Sequence, residues 1–130
     1  MVVCDTHALV FDALAPTELG AKAARAIETA CEAGELACAD ISLWEIAMLM
    51  EKGRLDVDAT SADFLATLVA ARRLTVLPIT PAIAALAASN VVSVGDPADR
   101  LIAATAIAHR ASLVTKDARL TGIPDLQAIW

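Results

Sequence analysis

The stretch VVCDTHALV, residues 2–10, predicts a short buried strand that ends on a carboxylate. Residues 2–4 are apolar and β-prone, and an apolar pattern resumes directly after Asp5, Thr6 and His7. In an open parallel sheet, ligands bind at the edge where the strands end. An acid at that edge, with a helix starting beside it, either caps the helix or belongs to a site.

Apolar strand-like runs alternate with helical patterns along the rest of the chain. Strands are predicted over residues 2–4, 36–39, 75–79, 111–115 and, more weakly, 126–130. Helices are predicted over residues 6–13, 19–33, 42–52, 58–73, 81–90 and 97–110. This alternation indicates an α/β fold, a doubly wound parallel sheet of four to five strands covered by helices. A length of 130 residues corresponds to a single domain, 1–130.

Several predicted helices begin at residues that cap helices well. Thr17 is predicted to cap the second helix, with Glu18 near its start and Gly34 at its end. Thr80 and Asp96 each precede a proline, which is favoured at the first helical position. We therefore expect these helices to start close to the capping residues.

The composition excludes several classes of protein. The formal net charge of −6 disfavours a protein that grips nucleic acid by bulk charge, although it allows acids that converge on metal ions beside a local basic rim. Two phenylalanines, two tryptophans and no tyrosine argue against base stacking as the main route to nucleic acid.

The cysteines indicate a reducing compartment. There are three, none in a C-x-x-C spacing, so neither a disulfide framework nor a zinc site is predicted, and Cys4 and Cys38 are expected to be small core residues. No apolar run is long enough to span a bilayer, and no basic segment precedes the first apolar run, as it would in a signal peptide. We therefore expect a cytoplasmic protein without a membrane partner.

Four acids share one kind of position in the predicted fold. Asp5 and Asp117 follow strands, whereas Glu45 and Asp99 lie in the first turn of helices that follow extended segments. All four would lie on the carboxyl edge of the sheet and face one crevice. A local explanation exists for each acid, but none explains why four should converge.

The strongest local explanation concerns Glu45. The segment from Ser42 to Glu45 has the S-x-x-E spacing of a capping box, in which the glutamate reaches back to the serine amide. On this spacing alone the cap is favoured over a catalytic role. Asp5 can likewise cap a helix, and Asp99 suits the positive end of a helix dipole.

Converged carboxylates repel one another, and without a cation one or more would take up a proton. Hard divalent cations relieve this repulsion and prefer oxygen ligands. Two such ions about 4 Å apart can activate a water and stabilise a leaving oxygen. The four acids therefore predict metal-assisted hydrolysis of a phosphodiester, without a covalent enzyme intermediate.

Five segments of the chain carry a family resemblance: VVCDTHALVFDAL, ISLWEIAMLMEKGRL, LPITPAIAALAA, GDPADRLIAATAIAHRASLVTKD and LQAIW. Together they resemble the PIN domain and, more closely, the VapC toxins of bacterial type II toxin–antitoxin systems. The resemblance implies a ribonuclease that depends on Mg²⁺ or Mn²⁺, forms a homodimer, and is inhibited by a cognate antitoxin that docks near the site. Departures at Ala39, Gly95 and residues 10–12 affect contacts with the substrate rather than the class.

The resemblance also implies roles for individual residues. The family's four acids fall on Asp5, Asp99 and Asp117, as metal ligands, and on Glu45, which binds metal or orients the attacking water. Side chains that would position water or phosphate are Thr6, Asp96 and Thr115. Candidates for an RNA-facing rim are Arg100, Lys116 and Arg119, with ordinary exposed helix charges as the alternative.

Three alternative functions fit the sequence less well. A non-catalytic PIN-like module that binds RNA or protein is disfavoured because all four acids are present. A haloacid-dehalogenase-type phosphatase needs a second aspartate where His7 stands, and a receiver domain needs an acid pair where Cys4 and Asp5 stand.

Overall fold

The computed structural model describes all 130 residues and contains five strands and seven α-helices. The strands are β1 (Val2–Cys4), β2 (Leu36–Ala39), β3 (Thr75–Leu77), β4 (Ser112–Val114) and β5 (Ala128–Ile129). The helices are α1 (Thr6–Leu14), α2 (Ala21–Ala33), α3 (Asp40–Glu51), α4 (Ser61–Ala71), α5 (Pro81–Ala88), α6 (Pro97–Ala108) and α7 (Ala118–Thr121). None of the helices combines the length and apolar character that a membrane span requires.

The five strands form one parallel sheet in the order β3-β2-β1-β4-β5, which confirms the predicted doubly wound fold. The chain winds from β1 outward to β3, then returns to the other side of β1 and winds outward again through β4 and β5. The direction of winding therefore reverses between β1 and β4. In sheets of this kind the crevice at the reversal, beyond the carboxyl ends of the strands, is where ligands bind.

Helices cover both faces of the sheet because successive strand residues point to opposite sides. Val3 and Leu113 face a core formed with α5 and α6, which includes the fully buried Ile102. Cys4 and Cys38 face the opposite core, formed with α1, α2, α3 and α4. Cys38 is therefore a small core residue, as the sequence predicts. Burial raises the pKa of its thiol to about 12, so the thiol stays protonated.

The start of the second helix differs from the prediction. Thr17 does not cap α2; residues Pro16–Glu18 form a separate 3₁₀ turn, and α2 begins after Gly20. Gly20 itself lies close to the far end of the chain: a Cβ added to it would lie 2.8 Å from both the backbone carbon and Cδ1 of Trp130. Gly20 is therefore the place where the chain passes beneath Trp130.

Substituting Gly20 by alanine tests this close approach. The new methyl group would push against backbone as well as a ring, so we expect a loss of stability of about 1–3 kcal/mol. Thermal unfolding measures the loss, with Gly95→Ala as the matched control because a Cβ there meets nothing within 4 Å. Equal Tm values for the two variants would contradict the assigned contact.

Other boundaries shift slightly. Helix α4 begins at Ser61 rather than near Asp58, because the Thr60 side chain accepts a hydrogen bond from the Asp63 amide. The caps predicted at Thr80 and Asp96 are confirmed by side-chain hydrogen bonds.

Candidate active site

One pocket of about 370 Å³ lies at the carboxyl edge of the sheet, where the winding reverses. The pocket brings together the four acids from four separate segments of the chain. Its lining residues are Asp5, Thr6, His7, Glu45, Asp99, Lys116, Asp117, Ala118 and Arg119. Four carboxylates thus line the pocket together with one lysine, one arginine and one histidine.

Asp5 is the most deeply placed of these acids, with 6% of its surface exposed. Its amide donates to the Val114 carbonyl of β4, and its carboxylate Oδ1 accepts from the Ala8 amide at 2.7 Å. Burial raises the pKa of the Asp5 carboxyl, while hydrogen bonds from the Thr115 side chain and the Ala8 amide oppose the rise. Asp5 therefore caps α1 and lines the pocket at the same time.

Glu45 does not form the capping box that the sequence favours. Helix α3 starts at Asp40, directly after β2, so Ser42 lies inside the helix and is fully buried. The Thr6 hydroxyl instead donates to Glu45 Oε1 at 2.5 Å and lies 3.1 Å from the Ser42 Oγ. The S-x-x-E spacing thus places both residues toward α1, and Thr6 holds the Glu45 carboxylate in the pocket.

Asp99 lies in the first turn of α6, and its pKa is raised more than that of Asp5 or Asp117. Burial, followed by the negative charges of Asp96 and Asp117, raises the pKa of Asp99 to about 6, although Arg119 opposes the rise. Asp96 is not part of the pocket lining; its carboxylate accepts from the Asp99 amide at 3.0 Å and caps the helix.

Asp117 is fixed by contacts on both sides. Its amide donates to the hydroxyl of the buried Thr115. Its carboxylate accepts hydrogen bonds from Arg119, whose Nη2 lies 2.6 Å from Oδ2. The hydrogen bonds from Arg119 hold the pKa of Asp117 below its usual value. Asp117 is therefore ionised and paired.

The three predicted rim cations have different positions. Arg100 lies away from the pocket, and its guanidinium donates to the carbonyls of Ala87, Ser89 and Val94 at 2.6–2.8 Å. Arg100 does not line the pocket, and all three of its guanidinium nitrogens donate to backbone, so its place at an RNA-facing rim stays a prediction. Lys116 and Arg119 both line the pocket.

An aromatic cluster beside the pocket was not predicted from the sequence. The Lys116 Nζ lies 5.1 Å from the centre of the Phe11 ring and 6.0 Å from that of Trp130, distances typical of cation–π contacts. The two rings meet edge to face, and His7 lies beside Phe11. Phe11 and Trp130 are two of the four large aromatic residues in the sequence, but they lie more than a hundred residues apart, so the sequence does not indicate that they meet.

The pocket has the donor chemistry of a hard divalent cation. Its acids supply only oxygen ligands, and the pKa of Asp99 is raised by burial and, after that, by the negative charges of its neighbours. As arranged, however, no three acidic, histidine or cysteine side chains are close enough to bind one ion together. The donor set therefore fits Mg²⁺ or Mn²⁺, provided that the carboxylates rearrange around the ion.

Comparisons with known proteins agree with this architecture. The family model of the PIN domain matches residues 2–126. Ribonuclease VapC22 of Mycobacterium tuberculosis is 42% identical over 120 residues, which cover 92% of this chain and 88% of that protein.

Solved structures share the fold at low sequence identity. VapBC2 from Rickettsia felis, bound to a DNA fragment from its promoter, gives a TM-score of 0.71 at 18% identity, covering 98% of this chain and 97% of that one. A toxin–antitoxin complex from Klebsiella pneumoniae gives 0.65 at 20% identity, covering 97% and 95%. The family model and the 42% identical relative show that the chain belongs to the PIN-domain family, among its VapC-type members.

Proposed function

We propose that this protein is a metal-dependent endoribonuclease toxin of a type II toxin–antitoxin pair, which hydrolyses RNA phosphodiester bonds. The observation that carries the proposal is the convergence of four carboxylates from four segments on one pocket at the reversal of the sheet. The 42% identity to a ribonuclease over nearly the whole chain supports RNA as the substrate. The same extent of similarity supports a single PIN domain over residues 1–130.

Asp5, Asp99 and Asp117 would hold Mg²⁺ or Mn²⁺, with Glu45 as a further ligand or as the group that orients the attacking water. When bound, the cation lowers the pKa of water and stabilises charge on the reacting phosphate. The Ala8 amide fixes Asp5, and the Asp96 cap fixes the start of α6 that carries Asp99. These contacts fix the segments that carry the two carboxylates before substrate arrives, whereas the carboxylate groups themselves rearrange when the ion binds.

Glu45 is suited to accept a hydrogen bond from the attacking water, because Thr6 leaves its second carboxylate oxygen free of protein donors. The water oxygen would attack phosphorus as the bond to the leaving ribose oxygen breaks. The products are a 5′ and a 3′ fragment, one of which keeps the phosphate, and no covalent link to the protein forms.

Replacing Thr6 by valine tests the positioning of Glu45. Valine keeps the shape of the side chain but leaves both Glu45 and the buried Ser42 without the hydroxyl, so we expect kcat to fall about 10- to 100-fold with KM little changed. Single-turnover cleavage measures the change, and Thr6→Ser, which retains the hydroxyl, is the control. If both variants had the same kcat, Thr6 would have no positioning role.

Lys116 and Arg119 are the proposed RNA-facing cations. A protein of net charge −6 gains little from bulk attraction to RNA, so local cations at the pocket must supply the contact with phosphate. Lys116 is held at the rim by the Phe11 and Trp130 rings.

The proposed partners are a cognate antitoxin, which docks near the acidic pocket, and a second copy of this chain. Structures of toxin–antitoxin complexes with the same fold support the antitoxin. Trp44 on α3 is 57% exposed and suits burial in a dimer, which sedimentation velocity at micromolar concentration tests. We propose that the toxin acts on RNA in the cytoplasm.

The experiment that tests the function incubates purified, antitoxin-free protein with pooled transfer and ribosomal RNAs and Mg²⁺ or Mn²⁺. We expect discrete cleavage that EDTA and Asp5→Asn abolish. Asp58→Asn, which removes an exposed carboxylate outside the pocket, is the matched control and should cleave normally. Expression without antitoxin should arrest growth of the host only when the pocket acids are intact.

Cleavage that persists in EDTA or in Asp5→Asn would contradict the metal mechanism. If no lane showed cleavage while RNA or a protein partner still bound, the protein would be a non-catalytic binding module instead.

A further inference from the structure

Arg119 makes every ion pair that the pocket acids form in this structure. Its Nε lies 3.0 and 3.2 Å from the two carboxylate oxygens of Asp117, and its Nη2 lies 2.6 Å from Asp117 Oδ2 and 3.2 Å from Asp99 Oδ2. No salt bridge links Lys116 to any of the four acids. The guanidinium therefore bridges two of the three carboxylates assigned to the metal.

A guanidinium and a divalent cation compete for the same lone pairs. Both oxygens of Asp117 and one of Asp99 accept from Arg119, so fewer of their lone pairs are open to an ion. With Arg119 in this position, no three acids lie close enough together to bind a metal. A cation that uses the lone pairs of Asp117 and Asp99 Oδ2 has to displace the guanidinium.

Arg119 is able to leave. Its side chain is 63% exposed, and it donates to no group other than Asp99 and Asp117. It lies in α7, a helix of only four residues, and an ion pair in this exposed setting is weak compared with metal–carboxylate bonding.

We propose that Arg119 is an internal competitor of the metal, which neutralises Asp99 and Asp117 in the metal-free protein and then binds substrate phosphate once the cation displaces it. This inference rests on the proposed function, because it assigns the metal to the same acids. The displaced guanidinium remains two residues from Asp117, at the mouth of the pocket. RNA, with one phosphate per nucleotide, is the anion that it meets there.

The competition predicts opposite effects of one substitution on two ligands. In Arg119→Ala the metal no longer displaces a guanidinium, so we expect Mn²⁺ to bind about 5- to 20-fold more tightly, while the Kd for RNA rises severalfold. Mn²⁺ binding to the full chain without RNA is measured by calorimetry and by loss of the free-ion paramagnetic resonance signal. RNA affinity is measured separately with Ca²⁺ in place of Mn²⁺.

Two controls separate competition from a general charge effect. Lys116→Ala removes one positive charge from the same pocket without touching the acids, so it should tighten Mn²⁺ binding much less than Arg119→Ala. Arg119→Lys keeps the charge but loses the two-nitrogen grip on Asp117, so its Mn²⁺ affinity should lie between those of wild type and Arg119→Ala.

The outcomes distinguish the two proposals. If Arg119→Ala and Lys116→Ala shift the Mn²⁺ Kd equally, or if Arg119→Ala weakens Mn²⁺ binding, Arg119 is not a competitor. If wild type binds Mn²⁺ no better than Asp99→Asn does, the metal is not at these acids, and the proposed function fails together with this inference. A low Kd in wild type that Asp99→Asn abolishes and Arg119→Ala lowers further supports both.

Discussion

Replacing Asp99 by asparagine is expected to reduce RNA cleavage at least about a hundredfold and, at the same time, to raise the Tm of the metal-free protein. Activity falls because the variant lacks one of the carboxylates that hold the cation. Stability rises because the substitution removes, at nearly constant shape, a charge that is partly buried and lies near other negative charges. Few substitutions are expected to improve the fold while removing the function.

The size and sign of the stability effect follow from the pKa of Asp99. Folding raises this pKa from 3.8 to about 6, so keeping the carboxylate ionised costs the native state at most about 3 kcal/mol above pH 6. Below about pH 4 the carboxyl is protonated in both the folded and the unfolded state, and the cost disappears. The Tm advantage of Asp99→Asn should therefore be present at pH 7.5 and lost near pH 4.

Thermal unfolding in EDTA across this pH range, paired with cleavage assays in Mg²⁺, measures both effects. Adding Mg²⁺ should raise the Tm of wild type more than that of the variant, since only the wild type has the full set of ligands. A variant that is less stable than wild type at pH 7.5 would show that Asp99 is held by favourable contacts rather than strained by its neighbours.

Replacing Arg100 by alanine is expected to cost about 3–5 kcal/mol of stability, the largest loss of any single substitution considered. Three carbonyl oxygens, at the end of α5 and in the loop before α6, lose a charged donor at once. Because this loop leads into the helix that carries Asp99, cleavage should fall as a consequence of unfolding. Denaturant unfolding and hydrogen exchange over residues 89–96 measure the loss.

The matched control for Arg100 is Arg54→Ala, which deletes an exposed arginine that forms no side-chain hydrogen bond or salt bridge. Its stability should stay within about 0.5 kcal/mol of wild type. If Arg100→Ala were as stable as this control but bound RNA more weakly, Arg100 would belong to the rim after all.

The convergence of the acids could be predicted because it depends on topology rather than on detailed contacts. Asp5 and Asp117 follow adjacent parallel strands, and such strands end at the same edge of the sheet. The periodic apolar pattern was sufficient to identify those strands. The predicted strands are too long only where one or two residues at an end leave the sheet; in β3, for example, the strand ends at Leu77.

The errors arose where a distant contact overrides a local preference. The spacing of Ser42 and Glu45 favours a capping box, but β2 continues into α3 without a loop. Both side chains instead form hydrogen bonds with Thr6, which lies in another segment of the chain. Arg100 is predicted as a candidate for the RNA-facing rim, and the sequence gives no sign that its guanidinium donates to backbone carbonyls. Local patterns contain no information on such partners.

Diffraction from crystals soaked in Mn²⁺, with data collected at the manganese absorption edge, shows whether the pocket carboxylates hold a metal. We expect an anomalous peak in contact with carboxylate oxygens of Asp5, Asp99 or Asp117, and an Arg119 guanidinium that has moved away from Asp117. A pocket without a peak at saturating Mn²⁺, or a peak only at surface acids elsewhere, would contradict the assignment of these carboxylates to a metal.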